Sequence, residues 1–196
     1  LTAPLTVAKA RPNLSYGLIE SEQLGRLESG TDGETWWENS TMQGPRIKQG
    51  PELAAARRDD DFDALLNWRQ WFTAWDCVGA AEVEGRPAWK LALTVKDGGA
   101  ETWCFDQETG LPVRAELTVE NEQGKIPVEI TFLDYRPVDG VMVSFTTRQV
   151  LMGGVQTLLM RAEKIEHNVE LPAGRFALPD EVRALRDKLR ETPAGQ

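Results

Sequence analysis

Histidine, the side chain most often used as a general base near neutral pH, occurs once in this chain, at His167. One histidine cannot form a multi-histidine metal site, and it excludes most relays in which histidine activates a serine or a cysteine. The residues before His167 read as a strand that ends at Asn168. We therefore predict a structural role for His167 at the end of that strand.

The other patterns that could carry chemistry are incomplete. The sequence has no G-x-S-x-G nucleophile elbow, no P-loop and no G-x-G-x-x-G. Asp59, Asp61 and Asp63 begin like a calcium loop, but Ala64 stands where glycine is required and Gln70 where glutamate is required. The sequence contains so many pairs of carboxylates that no single pair can be selected as a candidate for acid–base catalysis. We predict a protein that is not an enzyme, with no catalytic residue, no metal and no cofactor.

The charge of the chain excludes further classes of function. Its 196 residues carry 31 acidic and 22 basic side chains, a net charge of −9, without the basic stripe that nucleic-acid binding requires. No run of 18 apolar residues is present, so no segment is predicted to span a membrane. The chain lacks an initiator methionine and a charged segment followed by an apolar one, and we expect a mature chain or a piece of a longer one.

Two cysteines, Cys77 and Cys104, are too few for a disulfide framework and fit no zinc spacing. A two-residue turn at Glu84-Gly85 would place Cys77 opposite Ala92, which would in turn lie beside Cys104. The thiols would then share one face of a sheet but lie two strands apart, about 10 Å. A disulfide needs Cα atoms within about 7 Å, so we predict two free thiols.

The aromatic residues are the unusual feature of the composition, with seven tryptophans and six phenylalanines against two tyrosines. Trp89, Leu91, Leu93 and Val95 alternate, as the residues on one face of a strand do. A turn at Asp97–Gly99 would continue this face by setting Leu93 opposite Trp103 and Leu91 opposite Phe105, and a turn at Asp106–Gly110 would add Leu111, Val113 and Ala115. Periodicity alone does not distinguish a packed core from the lining of an apolar pocket.

Most of the chain reads as antiparallel strands joined by short turns. Asp32-Gly33 predicts a hairpin between Gln23–Gly30 and Glu34–Glu38. Further strands are predicted at Cys77–Val83, Pro87–Val95, Glu101–Asp106, Leu111–Val119, Lys125–Tyr135, Val141–Leu151 and Val155–Asn168. No helical crossover separates them, and so broad a sheet must curl, close or be covered.

Helices and loops are expected between and around these strands. Pro4 and Pro12 predict a loosely ordered start, and the glycine–proline pairs of Met42–Gly50 predict a break in the ladder. Helices are predicted at Glu52–Arg58, at Phe62–Trp75 with a cap from Asp59, Asp60 or Asp61, and at Asp180–Arg190. The aromatic helix Phe62–Trp75 is expected to cover the sheet as a plug or lid.

Five motifs in this order resemble the lipoprotein-carrier superfamily, the LolA/LolB-like proteins, over about residues 14–180. They are Thr31–Glu38 (TDGETWWE), Val83–Leu91 (VEGRPAWKL), Trp103–Arg114 (WCFDQETGLPVR), Asp134–Val141 (DYRPVDGV), and His167–Val169 followed by Phe176–Pro179 (FALP). The family usually starts with a helix and one or two strands before this region, where the present chain has only about thirteen residues.

The resemblance implies a mainly β fold with two or three helices, in which a curved antiparallel sheet forms an incomplete (half) β-barrel with helices against its concave face. We expect a single domain over residues 1–196, with its core at about 14–180 and a C-terminal helix at about 180–190. The resemblance also implies a periplasmic or cell-envelope location, with peripheral membrane contact or none.

The function predicted from this resemblance is the binding of an apolar ligand, a lipid acyl chain or a lipoprotein, with envelope proteins as further partners and no nucleic acid. The predicted ligand-binding residues are Trp68, Phe72, Trp89, Leu91, Leu93, Trp103 and Phe105. The alternative is a non-catalytic interaction or regulatory module whose groove is filled by its own helices. An elongated lipid bound to the protein would distinguish the two.

Overall fold

A computed structural model describes residues 2–121 and 124–191 of the chain. They form two compact units. The first unit contains the described residues up to Asn67 and those from Leu171 onward, and the second runs from Trp68 to Glu170. Each unit is built around one antiparallel sheet. The single domain expected from the sequence stays a prediction.

The first unit contains a five-stranded sheet whose strands follow one another in chain order. They are β1 (Leu5–Ala10), β2 (Leu14–Ser21), β3 (Gly25–Thr31), β4 (Trp36–Ser40) and β5 (Gly44–Ile47). In the hairpin between β3 and β4, Asp32 Oδ1 accepts the backbone N–H groups of Glu34 and Thr35 at 3.0 and 2.8 Å. The hairpin predicted at Asp32-Gly33 is therefore present.

Two α-helices pack on this sheet. Helix α1 (Gly50–Asp59) has a proline in its first turn and contacts β4, where Trp36 Nε1 donates to Asp60 Oδ2 at 3.1 Å. Arg46 of β5 holds Glu52 of the same helix through two hydrogen bonds of 2.8 and 2.6 Å. Helix α2 (Asp180–Glu191) packs against β4 and β5. Neither of the α-helices in the described residues is long and apolar enough to cross a bilayer.

The core of the first unit forms where α2 meets the sheet. Trp37 and Val182 are 1% and 0% exposed, and they pack with Tyr16 and Leu178. Gly30 pairs with Tyr16 on one side and with Trp37 on the other, so a residue without a side chain separates two large aromatic ones. The periodic apolar face of the predicted C-terminal helix is thus used for core packing.

The second unit contains a seven-stranded sheet, again in chain order. Its strands are β6 (Phe72–Val83), β7 (Arg86–Val95), β8 (Ala100–Asp106), β9 (Pro112–Asn121), β10 (Gly124–Val138), β11 (Val141–Leu151) and β12 (Gln156–Arg161). Glu84-Gly85 and Asp139-Gly140 both have positive φ at their two positions, the backbone of two-residue hairpin turns. Part of the predicted connection Glu120–Gly124 lies outside the described residues.

The prediction of a loosely ordered start and of a break after Met42 was wrong, because both segments form edge strands. Strand β1 pairs with β2 alone, and β5 pairs with β4 alone. A strand at a sheet edge uses only one side of its backbone, so it tolerates Pro12 just beyond its end or Pro45 within it. The prolines and glycines in and beside β1 and β5 therefore led to a prediction of irregular structure where two strands form.

The predicted aromatic helix Phe62–Trp75 does not form, and so the helical lid was also wrong. Residues 62–67 form turns, Trp68–Gln70 is one 3-10 turn, and β6 begins at Phe72. Asp61 Oδ1 accepts the Asp63 N–H at 3.0 Å, and Arg11 binds the Asp63 carboxylate through two hydrogen bonds of 2.8 Å. No α-helix begins directly after Asp59–Asp61, and Asp60 instead ends helix α1.

Competition between local and non-local structure explains this difference. The apolar residues from Phe62 to Phe72 have helical spacing. The same segment is rich in aromatic residues, which favour strands. Pairing with β7 begins at Phe72, and the Lys96 N–H donates to the Trp71 carbonyl at 2.8 Å. Leu65 and Leu66, the middle of the predicted helical face, remain 71% and 79% exposed.

The fold class predicted from the sequence is confirmed as mainly β, antiparallel and open, with two α-helices. The strands are divided between two sheets instead of forming one. Within the described residues neither sheet closes on itself, since β1 and β5 flank the first sheet and β6 and β12 flank the second.

Candidate functional site

One face of the second sheet concentrates aromatic side chains. In the register between β7 and β8, Trp89 lies opposite Phe105 and Leu91 lies opposite Trp103. On the other side of β7, Cys77 lies opposite Leu91 and Trp75 opposite Leu93. Side chains directly opposite each other in a sheet share a face. We call the face that carries Trp75, Cys77, Trp89, Leu91, Leu93, Trp103 and Phe105 the aromatic face.

An open pocket of about 500 Å³ lies on the aromatic face and is lined by Cys77, Trp89, Leu91 and Phe105. The pocket is shallow and faces solvent over most of its boundary. None of these four side chains is charged, and 48% of the Trp89 surface is exposed. The pocket therefore offers an accessible apolar surface, without a group that could perform acid–base or nucleophilic catalysis apart from one exposed thiol.

Trp103 connects this pocket to the middle of the sheet. Its ring stacks on Phe105 and on Phe132, with centroid distances of 6.2 and 5.9 Å. Its indole Nε1 donates to the buried carboxylate of Glu101 at 2.9 Å. Ala115 lies opposite Trp103 and is 0% exposed, so a small residue makes room for the indole. This hydrogen bond and these ring contacts fix the orientation of Trp103 beside the pocket.

The observed register between β7 and β8 differs by two residues from the predicted one. The sequence predicted Leu93 opposite Trp103 and Leu91 opposite Phe105, whereas Leu91 and Trp89 occupy those places. The turn is longer than expected, because the Val95 N–H donates to the Gly99 carbonyl at 3.1 Å. A shift of two residues preserves the face of every side chain, so the predicted face is correct although its pairs are not.

A bulge at the start of β9 changes the face of Val113. Cys104 pairs with Arg114 and Phe105 with Pro112, which leaves Val113 as an additional residue. Val113 accordingly packs with Val83, Ala88 and Cys104 instead of the aromatic face. Leu111, also predicted on the aromatic face, precedes β9 and its carbonyl accepts the Asp106 N–H at 2.9 Å.

A second bulge separates the two cysteines. Pairing shifts by one residue between Cys77 and Gly79, and Gly79 has a φ of 133°, which suits glycine. Cys77 therefore lies opposite Leu91 on the aromatic face, whereas Cys104 lies opposite Lys90 on the other face. Both thiols are free. The prediction that they share a face was wrong, because an uninterrupted register cannot anticipate the bulge.

Phe72, one of the two predicted site residues of the aromatic helix, begins β6 instead, and the other, Trp68, lies just before that strand. Phe72 pairs with Val95, and Trp68 belongs to the 3-10 turn that precedes the strand. The Trp68 ring meets the Trp75 ring edge to face, with a centroid distance of 4.5 Å. Arg69 lies over both rings, with its guanidinium carbon 4.1 Å from the Trp68 centroid and 5.9 Å from that of Trp75.

The structure thus brings Trp89, Leu91 and Phe105 of the predicted site together in the pocket and places Leu93 and Trp103 on the same face. Sequence reasoning missed Cys77 as a lining residue, and it missed Trp75 and Arg69 as neighbours of Trp68. The alternation Trp75, Cys77 is a strand signal that the assumed helix concealed. Gly79, inside a strand pattern, is the signal for the bulge.

His167 and Asp63, which belong to the incomplete catalytic and calcium-binding patterns of the sequence, each lie beside a side chain of opposite charge type. His167 lies beyond the end of β12, not at a strand end as predicted, and its Nδ1 is 3.4 Å from Asp139 Oδ2. Asp63 binds Arg11. Over residues 2–121 and 124–191, no group of three or more His, Cys, Asp or Glu side chains is arranged to hold a metal.

Comparison by sequence finds no family model and no curated protein that matches this chain. Comparison by structure finds similar folds. A putative outer membrane lipoprotein-sorting protein domain from Vibrio parahaemolyticus matches with a TM-score of 0.58 at 11% identity, over 89% of this chain and 80% of that one. A DUF1329 family protein from Desulfovibrio piger matches with a TM-score of 0.60 at 15% identity, over 88% and 80%.

The LolA superfamily protein NE2245 from Nitrosomonas europaea matches with a TM-score of 0.57 at 11% identity, over 90% of this chain and 81% of that one. All three similarities extend over most of both chains, so they concern the fold as a whole. At these identities they establish the fold alone. The resemblance seen in the five sequence motifs is confirmed at that level, and the chain has a LolA-like fold.

Proposed function

We propose that this protein binds an apolar ligand, such as a lipid acyl chain or the acyl part of a lipoprotein, on the aromatic face of its second sheet. The observation that carries the proposal is the open pocket lined by Cys77, Trp89, Leu91 and Phe105. Three of the residues predicted to bind ligand, Trp89, Leu91 and Phe105, line the pocket and would contact the acyl chain. The other predicted residues extend the apolar surface around the pocket; they are Trp68, Phe72, Leu93 and Trp103.

The energetics of such a site follow from its composition. Each CH₂ group that leaves water for the pocket contributes about 0.8 kcal/mol. Apolar burial has little directional preference, so the pocket would accept chains of different lengths. A role as carrier or binding protein, without catalysis, fits this chemistry because an uncharged pocket has no acid–base pair to offer.

Similarity of fold supports the same role. A structural neighbour is described as a putative outer membrane lipoprotein-sorting protein domain, and another as a LolA superfamily protein. By analogy with them, we place the protein in the periplasm or cell envelope and expect peripheral membrane contact or none. Lipoproteins, and envelope proteins that deliver or receive the ligand, would be its partners.

An interaction module is the second candidate, and the edge strand β12 favours it. Every residue of β12 is exposed, and Leu158 and Leu159, whose side chains point to opposite faces, are 40% and 51% exposed. A protein segment could pair with this edge as an additional strand. The interaction module predicted from the sequence has a groove filled by its own helices, whereas almost half of the Trp89 surface is exposed.

Binding of an uncharged apolar dye, N-phenyl-1-naphthylamine, tests the first proposal. We expect its fluorescence to rise and saturate on titration with the protein, and an acylated peptide to displace it. Trp89→Glu should weaken dye binding by about tenfold or more, because a carboxylate beside a bound chain is costly to desolvate. Trp89 is preferable to Trp103 for this change, since Trp103→Glu would place a second carboxylate beside Glu101.

Thr94→Glu is the matched control. Thr94 belongs to the same strand as Trp89 but is exposed on the opposite face, so it receives the same charge away from the pocket. This variant should bind the dye as the wild type does. A folded wild-type protein that binds neither dye nor acylated peptide would contradict the carrier proposal and leave the interaction module.

A further inference from the structure

Arg69 is a cation at the border of the aromatic face. Its guanidinium is held against the rings of Trp68 and Trp75 and is exposed to solvent. Among the described residues it has no ion pair with a carboxylate, in a chain where acidic side chains outnumber basic ones by 31 to 22. An arginine stacked on aromatic rings keeps its N–H donors at the guanidinium edge available for an anion.

The position of Arg69 relates it to the pocket. Trp75 and Cys77 are two residues apart in β6, so their side chains project from the same face of the strand. Cys77 lines the pocket, and Trp75 carries the Arg69 guanidinium at 5.9 Å from its ring centroid. The unpaired cation therefore lies next to the apolar surface that lines the pocket.

In the part of the chain that the structure describes, the aromatic face carries two carboxylates: the exposed Glu82, opposite Pro87 and beyond Trp89, and the buried Glu101. Glu101 is 6% exposed and accepts the Trp103 indole hydrogen bond. Trp75 lies opposite Leu93 and Leu93 lies opposite Glu101, so two strand spacings, about 10 Å, separate Glu101 from Trp75. A ligand with one negative charge would accordingly place its head at the Arg69 side and its apolar part towards Phe105.

We propose that the ligand of this pocket is a single-chain amphiphile with a monoanionic head, a long-chain carboxylate, whose alkyl chain occupies the pocket and whose carboxylate binds Arg69. This inference rests on the proposed function and specifies its ligand. A guanidinium binds a carboxylate through two parallel N–H···O bonds. One unpaired arginine balances one negative charge, whereas a phosphate monoester carries nearly two.

Three ligands with the same alkyl chain test the proposal: laurate, 1-dodecanol and dodecyltrimethylammonium, each measured by displacement of N-phenyl-1-naphthylamine. An apolar pocket without a cation would prefer dodecanol, because the carboxylate of laurate must lose water. We expect the wild-type protein to bind laurate about fivefold more tightly than dodecanol, and dodecyltrimethylammonium more weakly than both.

Arg69→Gln should weaken laurate binding about tenfold and change dodecanol binding less than about twofold, and Arg69→Lys should restore part of the loss. Lys90→Gln removes the same charge from the opposite face of β7 and should leave laurate binding unchanged. Unchanged affinity of the Arg69→Gln variant for the dye shows that its pocket is folded. An equal loss in the Lys90→Gln variant would indicate an effect of net charge and overturn the proposal.

The two levels of the proposal fail differently. If dodecanol binds as tightly as laurate, or if Arg69→Gln leaves laurate binding unchanged, the head-group inference is overturned and the apolar pocket remains. If neither laurate nor dodecanol displaces the dye, or the dye itself does not bind, the proposed function is overturned and this inference with it.

Discussion

Cys77 and Cys104 occupy opposite faces of the second sheet, because Cys77 lies opposite Leu91 and Cys104 opposite Lys90. Their environments differ accordingly. Cys77 is exposed in the pocket, whereas Cys104 is 4% exposed in a cluster with Val83 and Ala88. One thiol can therefore report on the pocket while the other reports on the packing behind it.

Thiol reactivity should separate these two residues. Burial, and to a lesser extent the charge of Glu116, raises the pKa of the Cys104 thiol, and a buried thiol reacts only when the structure opens. In the native protein we expect Cys77 to be modified by a thiol reagent at least about tenfold faster than Cys104. In denaturant without reductant, both should react.

Variants with a single cysteine, Cys77→Ser and Cys104→Ser, assign the two rates. A saturating acyl ligand should slow the modification of Cys77 and leave that of Cys104 unchanged. Equal native rates would mean that the bulge before Gly79 is misplaced and that the pocket lining is different.

The packing of helix α2 predicts unequal costs for two similar truncations. Val182 is 0% exposed against Trp37, whereas Leu189 of the same helix is 45% exposed. Val182→Ala should lower the free energy of unfolding by about 2 kcal/mol, through lost burial and a small cavity. Leu189→Ala, the control, should change it by about 0.5 kcal/mol or less. Urea unfolding followed by tryptophan fluorescence measures both, and similar losses would contradict this packing of α2.

Gly30 should not tolerate even one methyl group. A Cβ at Gly30 would collide with the backbone carbonyl oxygen of Ser15 on β2, which cannot move without disturbing the sheet. Gly30→Ala should therefore cost about 1–3 kcal/mol of stability. At Gly17 in the same strand pair, a Cβ would meet the Ser29 hydroxyl at 3.2 Å, and that side chain can rotate. If Gly17→Ala proves as costly as Gly30→Ala, the close approach of β2 and β3 is not the cause.

We expect the carboxylate of Asp106, which holds the turn after β8, to make a pH-dependent contribution to the stability of the protein. The pKa of its carboxyl is below the ordinary value, chiefly because Oδ1 accepts the Thr109 N–H and hydroxyl at 2.8 Å, with a further contribution from Arg86 at 3.0 Å. A carboxyl whose pKa is lower in the folded state stabilises the protein above its unfolded pKa. That stabilisation is lost as the pH falls through the folded pKa.

The measurement compares the urea midpoints of the wild type and of Asp106→Asn as the pH is lowered. The wild type should be more stable at pH 7, and the difference should shrink below about pH 4. Arg86→Gln should keep most of this pH dependence, because the Thr109 hydrogen bonds remain. A difference between wild type and Asp106→Asn that stays constant with pH would rule out the carboxylate as its source.

Local patterns in the sequence determined much of this fold. Alternation of apolar residues, with two-residue turns such as Glu84-Gly85 and Asp139-Gly140, defines most strands of the second sheet within a few residues. These signals are local because a hairpin turn and its flanking strands are contiguous in sequence. The spacing of Trp89, Leu91 and Leu93 likewise placed the aromatic face correctly, since the period of a strand is independent of its partner.

Only the tertiary structure decided where a strand formed in place of the helix suggested by the sequence. It also decided where bulges interrupted the pairing between strands. The segment Phe62–Trp75 has helical spacing, but the free energy of pairing with β7 depends on residues distant in sequence, and it produces a strand from Phe72. One additional residue before Gly79 moves Cys77 into the pocket, and another at Val113 removes that side chain from it. The position of Arg69 over Trp75 follows from the same strand, because those two side chains meet only when β6 starts where it does.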